Sequence, residues 1–265
     1  MKNKFYKKLL IVMVTLGMAL VMLSGCSKKN NETSVSSIKD KGTLTIGMIN
    51  SNPPYEFQNS DNVVQGADIP LIKKVAKELG VKYKIKTMDF DGLLPALQGN
   101  KVDMLITAMS PTPERKQGAK FSKVYYRSTN TLLVRKSEAK KYENTKNFAN
   151  ATIAVVNNST QEEMLKKLYP KAKFKKLSKV TDLALAVNNG KADACSIDVP
   201  TATILARKNP KLQITSFRHK DSSLGAAIAM PKNASSDLVK TVNKVVTENK
   251  AQYAQWVIDY AKKVK

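Results

Sequence analysis

Short apolar runs alternate with amphipathic segments along most of the chain. In the amphipathic segment at residues 70–79, apolar residues recur every three or four positions, which predicts a helix with one buried face. Pro70 suits the first turn of this helix, and Gly80 suits its end. We expect strands at residues 44–49, 81–87 and 102–107, and helices at residues 70–79 and 91–98. This alternation predicts an α/β fold with largely parallel strands.

One pattern occurs twice, at an offset of 90 residues. Residues 92–104 (GLLPALQGNKVDM) align with residues 182–194 (DLALAVNNGKADA), and both place Lys-x-Asp between an apolar helix and an apolar strand. Chance similarity between two ordinary αβ corners is one explanation. The other is a pair of similar α/β lobes, whose strand ends and helix N-termini would meet along a shared cleft where ligands bind.

The start of the chain has the pattern of an export signal. Basic residues come first, and the apolar run that follows is short for a membrane span. The run ends in Leu-Ser-Gly-Cys26, which resembles the bacterial lipobox. The resemblance implies that residues 1–25 are a lipoprotein signal peptide, that Cys26 carries the lipid and that the body lies outside the cytoplasm. An uncleaved membrane anchor with a chance cysteine is the alternative. Residues 26–39, rich in Ser, Lys and Asn, predict a flexible tether.

Composition excludes several other classes of protein. The chain has two cysteines and one histidine, so a lipidated Cys26 leaves only Cys195, which we expect to be a small core residue. These counts exclude an internal disulfide and a His/Cys zinc cluster, and they argue against Ser-His-Asp and Cys-His catalysis. We expect no metal, no cofactor and no catalytic residue. The net charge is +24, but the lysines are scattered, which indicates a surface near an anionic membrane or wall and no nucleic-acid partner.

A series of motifs stands in order from about residue 40 to the end of the chain. They are Pro54-Tyr55-Glu56-Phe57, Gly66-Ala67-Asp68-Ile69, residues 89–97 (DFDGLLPAL), residues 110–115 (SPTPER), Phe121-Ser122 with Tyr125-Tyr126, residues 159–162 (STQE) and residues 192–198 (ADACSID). Each motif alone is weak, but the ordered set is specific. It resembles the family of extracellular solute-binding proteins that serve polar amino-acid ABC transporters.

The resemblance implies an α/β, two-lobed fold of the periplasmic-binding-protein-like type II class, with two crossing hinge strands. Lobe 1 is expected over residues 40–126 plus 222–265, and lobe 2 over residues 131–216. The crossings are expected near residues 127–130 and 217–221. This division agrees with the repeat, since one copy falls in each lobe.

The resemblance also implies the function of an extracellular substrate-binding lipoprotein on the outer face of the cell membrane. Such a protein binds a free, polar L-amino acid by hinge closure and delivers it to a permease and its ATPase. We expect a monomer that is not an enzyme. A same-fold enzyme such as a dehydratase would need a positioned acid or base in the cleft. A surface adhesin or signalling receptor that uses the same pocket is the other alternative.

The ligand carboxylate is assigned to Arg115. A guanidinium donates two parallel hydrogen bonds to a carboxylate, and the resemblance gives the arginine of this motif that role. Thr112 can cap a helix and Pro113 can occupy its first position, so Arg115 is expected in a first turn. Residues 160–163 read as a capping box, and the resemblance brings Ser159 and Thr160 to the same carboxylate.

The ligand ammonium is assigned to Asp198, which follows the strand expected at residues 192–197. The resemblance adds Ser110 and the backbone of Ala108 as acceptors. It also places Tyr55 and Phe90 among the aromatic residues that line the pocket, where aromatic side chains offer rigid contact area. Packing in the core is the alternative for both residues.

Several positions depart from the family pattern. Ile49 stands where several relatives carry an acid, Asn52 where an aromatic residue is common, and Val156 where a lysine or other polar residue often appears. Asn158 replaces the usual glycine and is the type of residue that best tolerates a left-handed conformation. Without the acid, arginine and lysine are weaker candidates, and Asn50, Asn52 and Asn157 are candidates to read a neutral polar side chain such as glutamine.

Overall fold

A computed structural model describes residues 32–220 and 225–264. The first elements are α1 Val35–Lys41, β1 Thr43–Met48, β2 Ser51–Asn52, β3 Glu56–Gln58, β4 Val64–Gln65, α2 Asp68–Leu79, β5 Lys82–Thr87, α3 Phe90–Gln98, β6 Met104–Leu105, α4 Pro113–Gly118 and β7 Ala119–Tyr126. They continue with β8 Thr129–Arg135, 3-10 helices Lys136–Glu143 and Thr145–Asn150, β9 Thr152–Val156, α5 Thr160–Leu168, β10 Lys173–Leu177, α6 Val180–Asn188, β11 Ala194–Asp198, α7 Val199–Lys208, β12 Leu212–Ile214, β13 His219–Lys220, β14 Ala226–Pro231 and α8 Ser236–Lys263.

Two larger sheets and one small sheet organise these strands. The first sheet has the order β5-β1-β6-β14-β7, and the second has the order β10-β9-β11-β8-β12, with β13 also paired to β8. A three-stranded sheet, β2-β3-β4, completes the set. The chain passes from β7 of the first sheet to β8 of the second between Tyr126 and Thr129, and it returns from β13 to β14. The two crossings therefore connect the two large sheets. The residue limits of the two lobes stay predictions.

The expectation of largely parallel strands is wrong, because both large sheets are mixed. Strand β1 pairs parallel with β5 and β6, and β9 pairs parallel with β10 and β11. By contrast, β14 and β8 pair antiparallel with all their neighbours. Parallel neighbours need a crossover connection, usually a helix. Strands β8 and β14 are reached directly from the other sheet, so the local alternation of strand and helix did not predict their direction.

The internal repeat is structural. The Asp103 carboxylate accepts a hydrogen bond of 2.7 Å from the amide of Thr45, and the Asp193 carboxylate accepts one of 2.7 Å from the amide of Thr152. In each copy the aspartate amide also donates to the carbonyl of the same threonine, at 2.8 Å. The Lys-x-Asp motif therefore ties each helix–strand corner to the start of the neighbouring strand. A hydrogen bond to a charged group contributes about 1.5–3 kcal/mol.

Strand β6, which pairs with β1, is shorter than the sequence predicts. Strand β6 covers only two residues of the range 102–107, but backbone hydrogen bonds from Asp103 to Thr45 and from Ile106 to Gly47 continue the pairing on both sides. Helix α2 has the expected apolar face against the core, and Gly80 ends it with a positive φ of 68°. The pattern of buried positions was thus predicted better than the element ends.

The predicted tether is too long. Residues 35–39 belong to helix α1, whose N-cap Ser34 accepts a hydrogen bond from the amide of Ser37. Ile38 is only 2% exposed and packs in the core of the first sheet. Val35 and Ile38 are the two apolar residues of this Ser- and Lys-rich segment, too few to predict a helix from periodicity, which explains the error. The signal peptide, Cys26 and the remainder of the tether up to residue 31 lie outside the described residues.

Apolar side chains fill the space between each sheet and its helices. Cys195 on β11 is fully buried and unpaired by any disulfide, and burial raises the pKa of its thiol to about 12. The prediction of a core cysteine is therefore confirmed. Within residues 32–220 and 225–264, no helix is long and apolar enough to cross a membrane. The same residues contain no His, Cys, Asp and Glu group that could hold a metal ion.

Candidate functional site

A cavity of about 120 Å³ is lined by residues attached to both large sheets. All nine residues predicted to contact the ligand line it. They are Asn52, Tyr55, Phe90, Ala108, Ser110, Arg115, Ser159, Thr160 and Asp198. The structure therefore brings the predicted set together, and the ligand-binding role of each residue stays a prediction.

We call the elements around the first large sheet and those around the second the two halves of the fold. Arg115 is held at the edge of the cavity by contacts from both halves. Thr112 caps α4 by accepting a hydrogen bond of 3.3 Å from the Arg115 amide, and Pro113 is in the first turn, as predicted. The guanidinium donates from Nη1 to the Ser110 carbonyl at 2.9 Å and from Nη2 to the Asn158 carbonyl at 3.0 Å. These bonds fix the orientation of a charged, planar donor that suits a carboxylate.

The turn before α5 faces Arg115 from the second half. The helix cap is Ser159, one residue earlier than predicted: its hydroxyl accepts a hydrogen bond of 3.2 Å from the Glu162 amide. Glu162 in turn accepts from the Asn158 amide at 2.9 Å, and Asn158 has the expected left-handed conformation, with φ 57°. The sequence did not distinguish the two positions, because Ser159 and Thr160 are adjacent and both residue types suit an N-cap. The first-turn amides of α5 consequently point toward the cavity end of the helix.

Asp198 ends β11 and caps α7. Its Oδ1 accepts hydrogen bonds from the Thr201 amide at 3.0 Å and from the Tyr55 hydroxyl at 3.1 Å, and its Oδ2 accepts from the Thr201 hydroxyl at 3.3 Å. Burial raises the pKa of the Asp198 carboxyl to about 6, and the hydrogen bonds from Thr201 and Tyr55 oppose this shift only in part. An uncompensated carboxylate in this position would gain from a cationic partner.

Aromatic side chains form two walls of the cavity. The Arg115 guanidinium carbon lies 5.1 Å from the centre of the Phe90 ring, so one face of that ring already covers a cation. Tyr55 is 1% exposed, and its ring centre lies 5.7 Å from that of Tyr126, which also lines the cavity. Burial and the nearby Asp198 raise the pKa of Tyr55, so its hydroxyl stays a donor at neutral pH.

Ala108 and Ser110 lie on the loop between β6 and α4. Ala108 has a φ of 49°, which is uncommon for a residue with a side chain and is held by a hydrogen bond of 3.0 Å from its amide to the Tyr125 hydroxyl. Strained backbone of this kind clusters at ligand sites. The turn sets the direction of the main chain that leads to Ser110 and Arg115.

A buried pair of carboxyl groups, Glu56 and Asp68, lies next to the cavity-lining residues Asn52 and Thr107. Glu56 accepts hydrogen bonds from the Thr107 hydroxyl at 3.0 Å and the Asn52 amide at 3.4 Å, and both donors line the cavity. Asp68 accepts from the hydroxyls of Tyr125 at 3.3 Å and Tyr253 at 2.6 Å. Burial and the repulsion between the two carboxyls raise the pKa of Glu56 well above its usual value, and burial also raises that of Asp68. The pair was not predicted as a unit, although both residues belong to motifs of the family pattern.

Hydrogen bonds join the two halves around the cavity. Asn157 donates to Asp91 at 3.0 Å, and the Val180 amide donates to the Ser51 hydroxyl at 3.2 Å. The Thr201 hydroxyl oxygen, which contacts Asp198, also lies 3.3 Å from the side-chain oxygen of Asn52, in addition to the Arg115 and Tyr55 contacts described above. Asn157 and Asn50 do not line the cavity, and the Asn50 side-chain nitrogen donates to the side-chain oxygen of Gln58 at 3.0 Å. Among the three asparagines considered from the sequence, only Asn52 contacts the cavity.

Several lining residues were not singled out from the sequence. They include Thr107, Tyr126, Ser128, Asn130, Gln161, Ser196 and Gly225. Tyr126 and Gln161 stand inside quoted motifs, which could have pointed to them. Asn130 lies on the first strand after the crossing, where its side chain accepts a hydrogen bond of 3.0 Å from Gln161. No local pattern distinguishes this asparagine from a surface residue.

Comparison with known proteins identifies the family. The family model described as "Bacterial extracellular solute-binding proteins, family 3" matches residues 44–260. The chain is 31% identical to the arginine-binding extracellular protein ArtP of Bacillus subtilis (strain 168), over 91% of this chain and 92% of that protein. It is also 31% identical to a probable histidine-binding protein of Campylobacter jejuni, over 88% and 89% of the two chains.

Solved structures agree with this family. An amino acid ABC transporter substrate-binding protein from Streptococcus pneumoniae, bound to L-arginine, has a TM-score of 0.81 at 34% identity, covering 86% of this chain and 97% of that one. The ancestral amino acid-binding protein AncCDT-1, a precursor of cyclohexadienyl dehydratase, has a TM-score of 0.78 at 30% identity, covering 85% and 98%. The predicted two-lobed fold is confirmed, and the chain belongs to family 3 of the bacterial extracellular solute-binding proteins.

Proposed function

We propose that this protein is the extracellular, lipid-anchored substrate-binding component of an amino-acid ABC transporter. It binds one free, polar L-amino acid in the cavity between the two sheets. The observation that carries this proposal is the pair formed by Arg115 and Asp198, which line one small cavity from opposite halves of the fold. Together they offer one positive and one negative partner to a zwitterion.

In this proposal Arg115 and the first turn of α5 bind the ligand carboxylate. The guanidinium is already oriented by the carbonyls of Ser110 and Asn158, so little side-chain entropy is lost when a ligand arrives. Ser159 and Thr160 contribute helix N-terminal groups that favour an anion. A charged group removed from water requires such fixed partners.

Asp198 binds the ligand ammonium, with Ser110 and the Ala108 carbonyl as further acceptors. Burial disfavours the ionised form of Asp198, and a bound ammonium restores it. Tyr55 and Phe90 cover the ligand. Binding therefore neutralises both the ligand charges and the carboxylate that the fold leaves poorly solvated.

The proposed mechanism is hinge closure about the two crossings. A ligand that contacts both halves stabilises the closed form, because the open form offers only half of its partners. The hydrogen bonds between Asn157 and Asp91 and between Val180 and Ser51 add contacts between the two halves that only a closed arrangement can make. The permease and its ATPase would receive the closed form.

Calorimetric titration of the twenty amino acids into the purified full chain tests the proposal. Arg115→Ala should weaken the tightest-binding amino acid at least ~100-fold, since removing one partner of a buried charge pair costs several kcal/mol. Lys116→Ala is a matched control, because Lys116 is the next residue of α4, carries the same charge and is exposed. Equal losses in both variants, or no loss in Arg115→Ala, would remove Arg115 from the site.

An enzymatic role is not proposed, although one structural relative is a precursor of a dehydratase. The histidine of the chain, His219, lies on β13 and does not line the cavity.

Lipid attachment to Cys26 is tested by metabolic labelling with a palmitate analogue in the wild type and in Cys26→Ser. Co-purification of a permease and an ATPase would favour transport over adhesion or signalling.

A further inference from the structure

We propose that the cavity selects an amino acid whose side chain carries no charge. The inference rests on the proposed function and narrows its substrate class. Among the described residues that line the cavity, Arg115 and Asp198 are the two charged ones. Both are committed to the carboxylate and the ammonium that every free amino acid carries, so a charged side chain would find no opposite charge in the wall.

The other lining residues are apolar or neutral. Ile49, Val156 and Val180 belong to one apolar cluster that continues from the first half of the fold into the second. Neutral hydrogen-bonding groups come from Asn52, Thr107, Gln161 and Ser196. These groups can satisfy an amide, hydroxyl or thioether, but they cannot compensate the loss of hydration of a guanidinium, an ammonium or a carboxylate.

Acidic residues just outside the cavity already have other partners. Glu56 lies one hydrogen bond behind Asn52 and Thr107, and it shares its burial with Asp68. Glu162 forms ion pairs with Lys166 at 2.6 Å and Lys176 at 2.8 Å. A cationic side chain would have to displace Asn52 and Thr107 to reach Glu56, or the two lysines to reach Glu162.

The aromatic wall does not supply the missing charge. One face of the Phe90 ring is already covered by the Arg115 guanidinium, at 5.1 Å. A ligand cation stacked on the opposite face would gain the usual cation–π attraction but would also experience repulsion from that guanidinium. The cation–π attraction is smaller than the cost of an unpaired buried charge.

Isosteric ligands separate the effect of charge from that of size. Calorimetry of the purified full chain should show that the tightest of the twenty amino acids is uncharged in its side chain. L-citrulline, the neutral isostere of L-arginine, should bind at least ~100-fold more tightly than L-arginine. The inference is overturned if L-arginine, L-lysine, L-aspartate or L-glutamate is the tightest ligand, or if L-arginine equals L-citrulline. Absence of binding by all twenty amino acids would instead overturn the proposed function, and this inference with it.

A variant pair tests whether the missing wall charge is the cause. Ile49 is 4% exposed and lies on the cavity wall, so Ile49→Asp places a carboxylate there, and Ile49→Asn places a neutral group of the same shape. Ile49→Asp should bind L-arginine at least ~10-fold more tightly than Ile49→Asn does, because a buried cation then has a partner. Equal affinity of the two variants for L-arginine would show that charge does not set the selectivity. Circular dichroism of both variants checks that each is folded.

Discussion

Acidification should weaken ligand binding through Asp198. The ammonium requires the ionised carboxylate, and burial raises the pKa of this carboxyl to about 6. At pH 7.5 nearly all molecules are ionised, whereas at pH 5 about one in eleven is, so the affinity should fall about tenfold between these values. The α-carboxylate and α-ammonium of the ligand do not titrate in this range, and neither does Arg115.

Two calorimetric measurements examine this effect. The dissociation constant of the tightest-binding amino acid is measured at pH 7.5, 6 and 5, and the binding enthalpy at pH 6 is measured in buffers of different ionisation enthalpy. Because the bound ammonium lowers the pKa of Asp198, binding at pH 6 should release about half a proton. Tyr55 and Tyr126, which face Asp198, have raised pKa values and stay protonated throughout.

A variant isolates the carboxylate from the rest of the fold. Asp198→Asn should lose at least ~100-fold in affinity and show no dependence on pH, since the amide cannot ionise. Asparagine is as good an N-cap as aspartate, so α7 should remain intact. A wild-type affinity that is constant from pH 7.5 to 5, with no proton released, would refute the assignment of Asp198 to the ammonium.

Three further predictions concern stability and reactivity. Burial raises the pKa values of Glu56 and Asp68. The stability associated with this pair is therefore fully present below pH ~4 and is lost as the pH rises through the folded-state pKa values. The melting temperature of Asp68→Asn should depend less on pH between 5 and 8 than that of the wild type. Asp103→Ala and Asp193→Ala should each lose about 1–3 kcal/mol in urea denaturation with unchanged ligand affinity, because each carboxylate holds a strand amide outside the cavity; a loss in only one of the two variants would contradict the equivalence of the two copies. Cys195 is fully buried, so peptide mass spectrometry should find it unlabelled by iodoacetamide in the native protein and labelled after unfolding, and labelling of the native thiol would contradict its burial.

Local patterns predicted much of the fold because they report local physics. The repeated Lys-x-Asp motif fixed two equivalent corners, since the same carboxylate–amide contact is made at Asp103 and at Asp193. Thr112 and Pro113 predicted the helix start that carries Arg115, because capping depends on neighbouring residues alone. The resemblance to the family then supplied eight of the nine candidate residues, and a departure from the family pattern supplied Asn52; the structure gathers all nine in one cavity.

The remaining features depend on contacts between residues that are distant in the sequence. The direction of β8 and β14 follows from the crossings between sheets, which no local periodicity reports. Asn130 reaches the cavity because the strand that carries it lies beside β11. The helix at Ile38 depends on one buried side chain in a polar segment. The raised pKa of Asp198 arises from its burial, and Tyr55, which is distant in the sequence, contacts the carboxylate.

The central claim is that Arg115 and Asp198 hold opposite ends of one zwitterion. A crystal structure with the tightest-binding amino acid tests it most directly. The carboxylate should lie within hydrogen-bonding distance of the Arg115 guanidinium, and the ammonium within hydrogen-bonding distance of Asp198. A ligand bound outside this cavity, or bound in it without contact to either one of these side chains, would contradict the account.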